Sequence, residues 1–386
     1  MQKLIYLVNR LRRNNSIFES VFWILRHSFD YVRYVVYWIV PERVWYFFVR
    51  HRALSYNGAF SSAINSSRFT EATKNTLRFL GTFGPKYSDH VKLFLECQLK
   101  RVIDRHISDG VVCICIVHNE LMRMKLFLEH YRSLGVTNFA ILDDNSSDGT
   151  REFLLSQSDV IVFESPDRYT TVLREVWINR MISDLGLDRW FIIVDSDELL
   201  DYPNRRVKSI TTLLNELEGL GKSRTRAVMV EMYSPNSVFD DAIRNYHDIP
   251  RVNRMFWNKY SFDGFIIRGR TNKALIPGMT KNYCMKYPII KMREFDFHHT
   301  HFDLPCYRDA RADTMVALLH YKCVNGDREK YKERAQAEGT LANRDGLVSF
   351  SNAIERDEHY LQVVSHFYEY RDFESLRVIR LLRRAR

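Results

Sequence analysis

Four short apolar runs separated by stretches of helical spacing, all between residues 111 and 198, limit what this chain can become more than any other feature. "VVCICIV" (111–117) is apolar and β-branched along its length, as a strand buried on both faces must be. "LMRMKLFLEHYRSLG" (121–135) then places apolar residues at helical spacing and stops at Gly135. "NFAILDDNSSDGT" reads as a second strand running into a turn, and "TREFLLSQ" begins another helix. "DVIVFE" is a third strand, "TVLREVWINRMISDLG" a helix, and "WFIIVDSDE" a fourth strand. This alternation predicts an α/β unit with a mostly parallel sheet flanked by helices. In such sheets ligands bind beyond the carboxyl ends of the strands. Three of the four strands end there in polar groups: "HNE" (118–120), "DDNSSD" (143–148) and "DSDE" (195–198).

The flanks have a different composition. Residues 1–52 carry nine Lys/Arg against three Asp/Glu, a net +6, interleaved with aromatics that include Trp23, Trp38 and Trp45. Arginines among aromatics suit helices lying on a membrane surface, and equally a helical extension packed on the main domain. "SYNGAFSSAINSSRF" (55–69) is small and polar and predicts a linker, and "DHVKLFLECQLKRVIDRH" (89–106) predicts a helix. "RAVMVEMYS" (226–234) and "GFIIRGRTNKALI" predict further strands, and 326–386 returns to helical composition. The expected organisation is a helical, basic, aromatic-rich region 1–106, an α/β domain 107–325 and a helical basic region 326–386. The tail "LRVIRLLRRAR" has five arginines with Leu376, Ile379 and Leu382 at helical spacing, a pattern for anionic lipid or for a solvated terminal helix.

The fourth strand's ending carries the chemistry. If 191–197 is extended, Asp195 and Asp197 point the same way, because side chains alternate with period two. Two carboxylates on one side of a strand end offer hard oxygen donors to Mg²⁺ or Mn²⁺, leaving positions for water and substrate phosphates. The turn "LDDNSSDGT" (142–150) either presents a carboxylate to a base or ribose or is simply an Asx-rich helix start.

"CICIVHNELMRMKLFLEHYRSLGVTNFAILDDNSSDGT", followed about fifty residues later by "WFIIVDSDELL", resembles the family 2-like glycosyltransferases. More narrowly it resembles the subgroup with Asn-Glu after the first strand, "DNSSDGT" after the second and "DSDE" after the fourth. The match covers 111–203 and continues weakly through "GRTNKALI" (269–276) and "LLHYK" (318–322). The resemblance implies a GT-A-like fold that binds a nucleotide-diphosphate sugar, UDP-linked by expectation, with a divalent cation. It implies that Asn119, Glu120 and Asp143 line the nucleotide pocket and that Asp144 contacts the base. Asp195 would face the ribose and metal, and Asp197 would ligate the cation at the diphosphate. Glu198 is either a group behind the ligands or the base for an acceptor hydroxyl, with Asp240, Asp241 and Asp263 as rivals. Lys273 either neutralises a phosphate or is a surface lysine. His320 in "LLHYK" is the candidate that completes the metal site, His301 its runner-up.

The expected function is inverting transfer of the sugar to a hydroxyl of a surface-glycan or lipid-linked acceptor, at the cytoplasmic face of a membrane. Two rivals differ in class: a nucleotidyltransferase, for which "CICIVHNELMRMK" lacks a Gly-rich phosphate loop, and a non-enzymatic membrane adaptor on the same fold. With 57 basic against 47 acidic residues the chain is +10, but no nucleic-acid fingerprint accompanies that charge. His298, His299 and His301 crowd one stretch, too close along the chain to converge as a dedicated zinc site by themselves. Six cysteines without a Cys-x-x-Cys pair predict reduced thiols, and no window predicts an export signal or membrane span.

Overall fold

The computed structural model describes residues 40–103, 105–233, 251–253, 285–299, 303–305, 312, 314–321, 367–369 and 372–374. Among the described residues, four α-helices come first, α1 (Glu42–Leu54), α2 (Ser61–Ser66), α3 (Glu71–Gly81) and α4 (Ser88–Glu96), then a short strand β1 (Lys100–Arg101). The alternating segment follows as β2 (Val112–Val117), α5 (Leu121–Ser133), β3 (Asn138–Asp143), α6 (Thr150–Leu155), β4 (Val160–Glu164), α7 (Thr171–Leu185) and β5 (Trp190–Ile193). Beyond it lie β6 (Glu198–Asp201), α8 (Ile210–Gly219), β7 (Arg226–Tyr233), β8 (Arg251–Asn253), β9 (Met285–Lys286) and β10 (Ile289–Lys291). The last are β11 (Phe297–His298), β12 (Asp303–Leu304), β13 (Met315–His320) and β14 (Phe367–Glu369).

The first sheet runs β1-β4-β3-β2-β5-β10. Its four central strands are parallel, and β1 and β10 close the edges antiparallel. Both faces are covered, which is why β2 is apolar at every position. Cys113, Cys115 and Val117 share a core with Met124, Phe127, Leu128 and Tyr131 of α5. Val112 and Ile114 face the other way, into a core with Trp177 and Met181 of α7 and Leu77, Leu80, Val91 and Phe94 of the N-terminal helices. Helices 42–96 therefore share a core with the sheet, and β1 pairs with β4. A second sheet, β14-β8-β7-β13-β6 with β9 paired to β7, packs into the core on the α5 side.

Three expectations change. The helix expected over 89–106 ends at Glu96, because Cys97 turns to an extended conformation (φ −62°, ψ 138°) and the chain goes on into β1. The expected linker 55–69 contains α2, and at its start the Tyr56 hydroxyl accepts the Phe60 N–H at 3.4 Å while the Tyr56 carbonyl accepts from Ser61 Oγ at 3.0 Å. That ring lies over Gly58 and Gly81 so closely that a Cβ on either would come within 2.6 Å of it. The fourth strand stops at Ile193, before the acidic residues. Residues 1–39, "GFIIRGRTNKALI" and the basic tail 376–386 lie outside the described residues. No helix among the described residues is long and apolar enough to cross a membrane.

Candidate functional site

After Ile193 the chain keeps one more ladder bond, Val194 N–H to the Ile114 carbonyl at 3.2 Å, and then reverses. The Glu198 N–H donates to the Asp195 carbonyl at 3.1 Å, closing a turn over Asp195, Ser196 and Asp197. The two aspartates are therefore not alternate residues of an extended strand. They belong to the corner at which the chain leaves the first sheet for the second. There β6 pairs antiparallel with β13, Glu198 opposite His320, and the Tyr321 N–H continues the pairing to the Asp197 carbonyl at 2.8 Å. That register brings His320 Nε2 to 3.3 Å from Asp197 Oδ2. Asp197, Glu198 and His320 each offer a donor atom, all within 4.8 Å of one another. Two carboxylates and an imidazole are donors that Mn²⁺ or a similar divalent ion accepts.

Cations hold the rest of the corner. Asp195 receives Arg174 of α7 at 2.5 Å and Lys286 of β9 at 2.6 Å. Lys286 also reaches Glu198 Oε1 at 2.5 Å, and Glu198 Oε2 accepts the Asp195 N–H at 3.0 Å. Glu198 is 1% exposed. Burial pushes its carboxyl up despite Lys286, and burial works against Lys286 too, although Asp195 and Glu198 together keep its ammonium charged. At Asp195 burial is outweighed by Arg174 and Lys286, which hold the carboxyl well below the usual range. At Asp197 burial is outweighed by His320 first and Arg123 after it, again lowering the carboxyl. Asp195 and Glu198 both bind Lys286, so Asp197 with His320 is the pair that a cation reaches without displacing that lysine.

The loops after β2 and β3 are tied together. Asn119 sits in the left-handed region (φ 55°), its N–H donating to Ser146 Oγ and its Oδ1 accepting the Ser147 N–H at 2.7 Å. Glu120 is buried against Arg123, Nη1 to Oε2 at 2.8 Å. Asp144 bonds through its backbone, its N–H to Val117 O and its carbonyl to His118 Nδ1 at 2.6 Å. Asp148 accepts the first N–H of both adjacent helices, Leu121 of α5 at 3.1 Å and Thr150 of α6 at 2.9 Å. Asp143 differs from these. Its Oδ2 accepts the Ser146 N–H at 3.3 Å, while its buried Oδ1 has no hydrogen-bond partner. Native buried carboxylate oxygens are rarely left so, and an orphan of this kind marks a place for a ligand or water.

Asp143 also lines a cavity of about 840 Å³ beyond the ends of β3 and β4, with Asn145, Arg151, Glu164, Lys100 and Arg180. The cavity is charged in both senses: Glu164 is held by Arg151 at 2.5 Å and Lys100 at 3.1 Å. Thus Asp143 lies at the cavity, Asn119 and Asp144 in the neighbouring turns, and Asp195, Asp197, Glu198 and His320 at the acidic corner. Lys273, Asp263, Asp240, Asp241 and His301 lie outside the described residues. Arg174 and Lys286 were missed from the sequence. Arg174 had a signal, a charge among the apolar positions of the α7 stretch, whereas Lys286 had none. Cys97, Cys113 and Cys115 are free thiols, raised by burial.

Comparison with known proteins gives little beyond this geometry. No family model matches the chain, and no curated protein matches it. Among solved structures, the mannosyltransferase PcManGT from Pyrobaculum calidifontis, in complex with GDP-Man and Mn²⁺, aligns over 80% of this chain and 84% of its own, at 13% identity and a TM-score of 0.31. At that level no residue role passes from it to this chain.

Proposed function

We propose that the chain is a glycosyltransferase of the GT-A type, moving a sugar from a nucleotide-diphosphate donor to a hydroxyl acceptor. The observation that supports this reading best is the acidic corner. It joins Asp197, Glu198 and His320 at the carboxyl end of β5, on the edge of the sheet where a ligand of a parallel sheet belongs. The cavity at Asp143 opens beyond β3, two strands from β5. That is roughly 10 Å at ordinary strand spacing, a distance a nucleoside diphosphate spans.

In this arrangement Asp143 Oδ1 takes an N–H or O–H of the nucleoside, and Asp197 with His320 holds a divalent cation, Mn²⁺ or Mg²⁺. Such an ion supplies positive charge against a departing diphosphate. Arg174 and Lys286 fix Asp195 at the ribose side. In this reading Glu198, whose oxygens take Lys286 and the Asp195 N–H, acts as a positioning group, and a carboxylate such as Asp263 is the acceptor's base. Inversion at the sugar, a UDP-linked donor and a surface-glycan or lipid-linked acceptor complete the reading, as the sequence resemblance implies. Exposed Phe47 and Phe48 on α1, beside Arg43 and Arg50, support an acceptor presented at a membrane. Co-sedimentation of the full chain with anionic vesicles, lost in a Phe47→Ser/Phe48→Ser variant, tests that part.

The reading as a whole is tested by incubating the chain with a panel of nucleotide sugars and Mn²⁺. Slow release of nucleoside diphosphate from one donor, abolished in Asp197→Ala, is expected. Failure of every donor to be hydrolysed or transferred to any offered hydroxyl acceptor would favour the adaptor instead.

A further inference from the structure

A second group of metal-type donors lies apart from the acidic corner. His90 on α4, Glu175 on α7 and His299 just after β11 place one ligand atom each within 4.8 Å of the others. Glu175 is 2% exposed, and its two oxygens each face an imidazole: Oε2 is 2.9 Å from His90 Nε2 and Oε1 is 3.2 Å from His299 Nδ1. These elements are far apart in sequence, so convergence here is not a by-product of one local turn.

Position is enforced from behind. Asn179, one turn after Glu175 on α7, grips the backbone of His298 in both directions. Its Oδ1 accepts the His298 N–H and its Nδ2 donates to the His298 carbonyl, each at 2.8 Å. The same Nδ2 donates to the Glu175 carbonyl at 2.7 Å. One amide thus sets the height of His299 against Glu175. The rings of His90 and His299 stack with centroids 6.3 Å apart and planes inclined by 29°.

From this geometry we propose that His90, Glu175 and His299 form a site for a divalent transition-metal ion of zinc type, a second site independent of the transferase reading. Two neutral imidazoles and one carboxylate are a zinc ligand set, with any remaining position left to water. Donors around tetrahedral zinc lie roughly 3.3–3.5 Å apart, from bond lengths near 2.1 Å. Here the imidazole nitrogens lie 2.9 and 3.2 Å from the two oxygens of Glu175, and one donor atom from each residue lies within 4.8 Å of the others, so the donors are gathered within reach of one ion. Buried His90 and Glu175 supply the dry wall, and half-buried His299 (25% of its side chain exposed) supplies the way in. A metal here would pin α4 to α7, beside the Arg174 that holds Asp195. The histidine-rich stretch that cannot make a zinc site along its own length thus contributes His299, and the other two ligands come from remote helices.

The test uses the full chain, stripped with chelator, loaded with Zn²⁺, desalted and counted by mass spectrometry of the metal. Wild type and Asp197→Ala should each retain about one zinc more than His299→Ala, and Co²⁺ substituted for Zn²⁺ should give a visible d–d spectrum that His299→Ala lacks. His299→Gln, which keeps the side chain's size and polarity, should behave as His299→Ala does if the alanine variant is unstable. Equal zinc in wild type and both His299 variants, or no retained zinc in wild type, would overturn the site.

Discussion

At Lys286 a single ammonium holds two carboxylates of opposite situation, half-buried Asp195 and fully buried Glu198. Removing one partner of a buried pair leaves the other charge uncompensated, which costs about 3–5 kcal/mol. Lys286→Met should therefore lower unfolding free energy by about that amount in denaturant titration, and adding Glu198→Gln should recover a large part of the loss. Additive effects would mean that Lys286 and Glu198 do not depend on each other. The sequence showed the acidic residues of this corner but not its cations. Asp195, Asp197 and Glu198 fall within four residues of a recognisable run, whereas Lys286 arrives by the pairing of β9 with β7, a long-range register that no local spacing encodes. Asp143 is the reverse case. It stands in a legible motif, yet only the hydrogen-bond pattern shows that its buried Oδ1 has no hydrogen-bond partner.

The elements that could be read were those with a full period to read. β2, β3 and β4 are buried on both faces and so appear as continuous apolar runs, and α5 and α7 are long enough to show helical spacing. β5 is only four residues long and the acidic turn follows directly, so the apolar run reads as one strand continuing through Asp-x-Asp. α4 was extended too far because Leu95 and Leu99 continued its apolar spacing past the break at Cys97. At this scale Asp148 is the residue that joins elements, since it caps α5 and α6 at once. Replacing a cap costs about 0.5–2 kcal/mol, so Asp148→Ala should destabilise the chain by roughly 1–2 kcal/mol in denaturant. Burial alone would raise this carboxyl, but hydrogen bonds from Thr150 and Leu121 outweigh it and lower it. Its contribution is therefore complete above the unfolded carboxylate value of about 3.9 and is lost as pH falls through the lower folded value. Asp148→Asn should flatten that part of the acid limb, and an unchanged acid limb would remove the cap from the account.

On the scale of the whole molecule, the helices of 42–96 are part of the core of the sheet, with Leu77, Leu80, Val91 and Phe94 buried beside Ile114 and Phe191. The two sheets meet at the acidic corner, and β13 carries His320 into it. The proposed donor site thus depends on both sheets: the cavity and Asp195 on the first, Glu198 and His320 on the second. The direct measurement is calorimetric binding of UDP, and of other nucleoside diphosphates, to wild type, Asp143→Ala and Asp197→Ala, each with Mn²⁺ and with EDTA. The account predicts that one nucleotide binds wild type at least tenfold more tightly with Mn²⁺ than with EDTA. Asp197→Ala should lose that metal dependence, and Asp143→Ala should weaken binding under both conditions. Equal affinity in EDTA and Mn²⁺, or a metal dependence that survives Asp197→Ala, would contradict the assignment of the acidic corner.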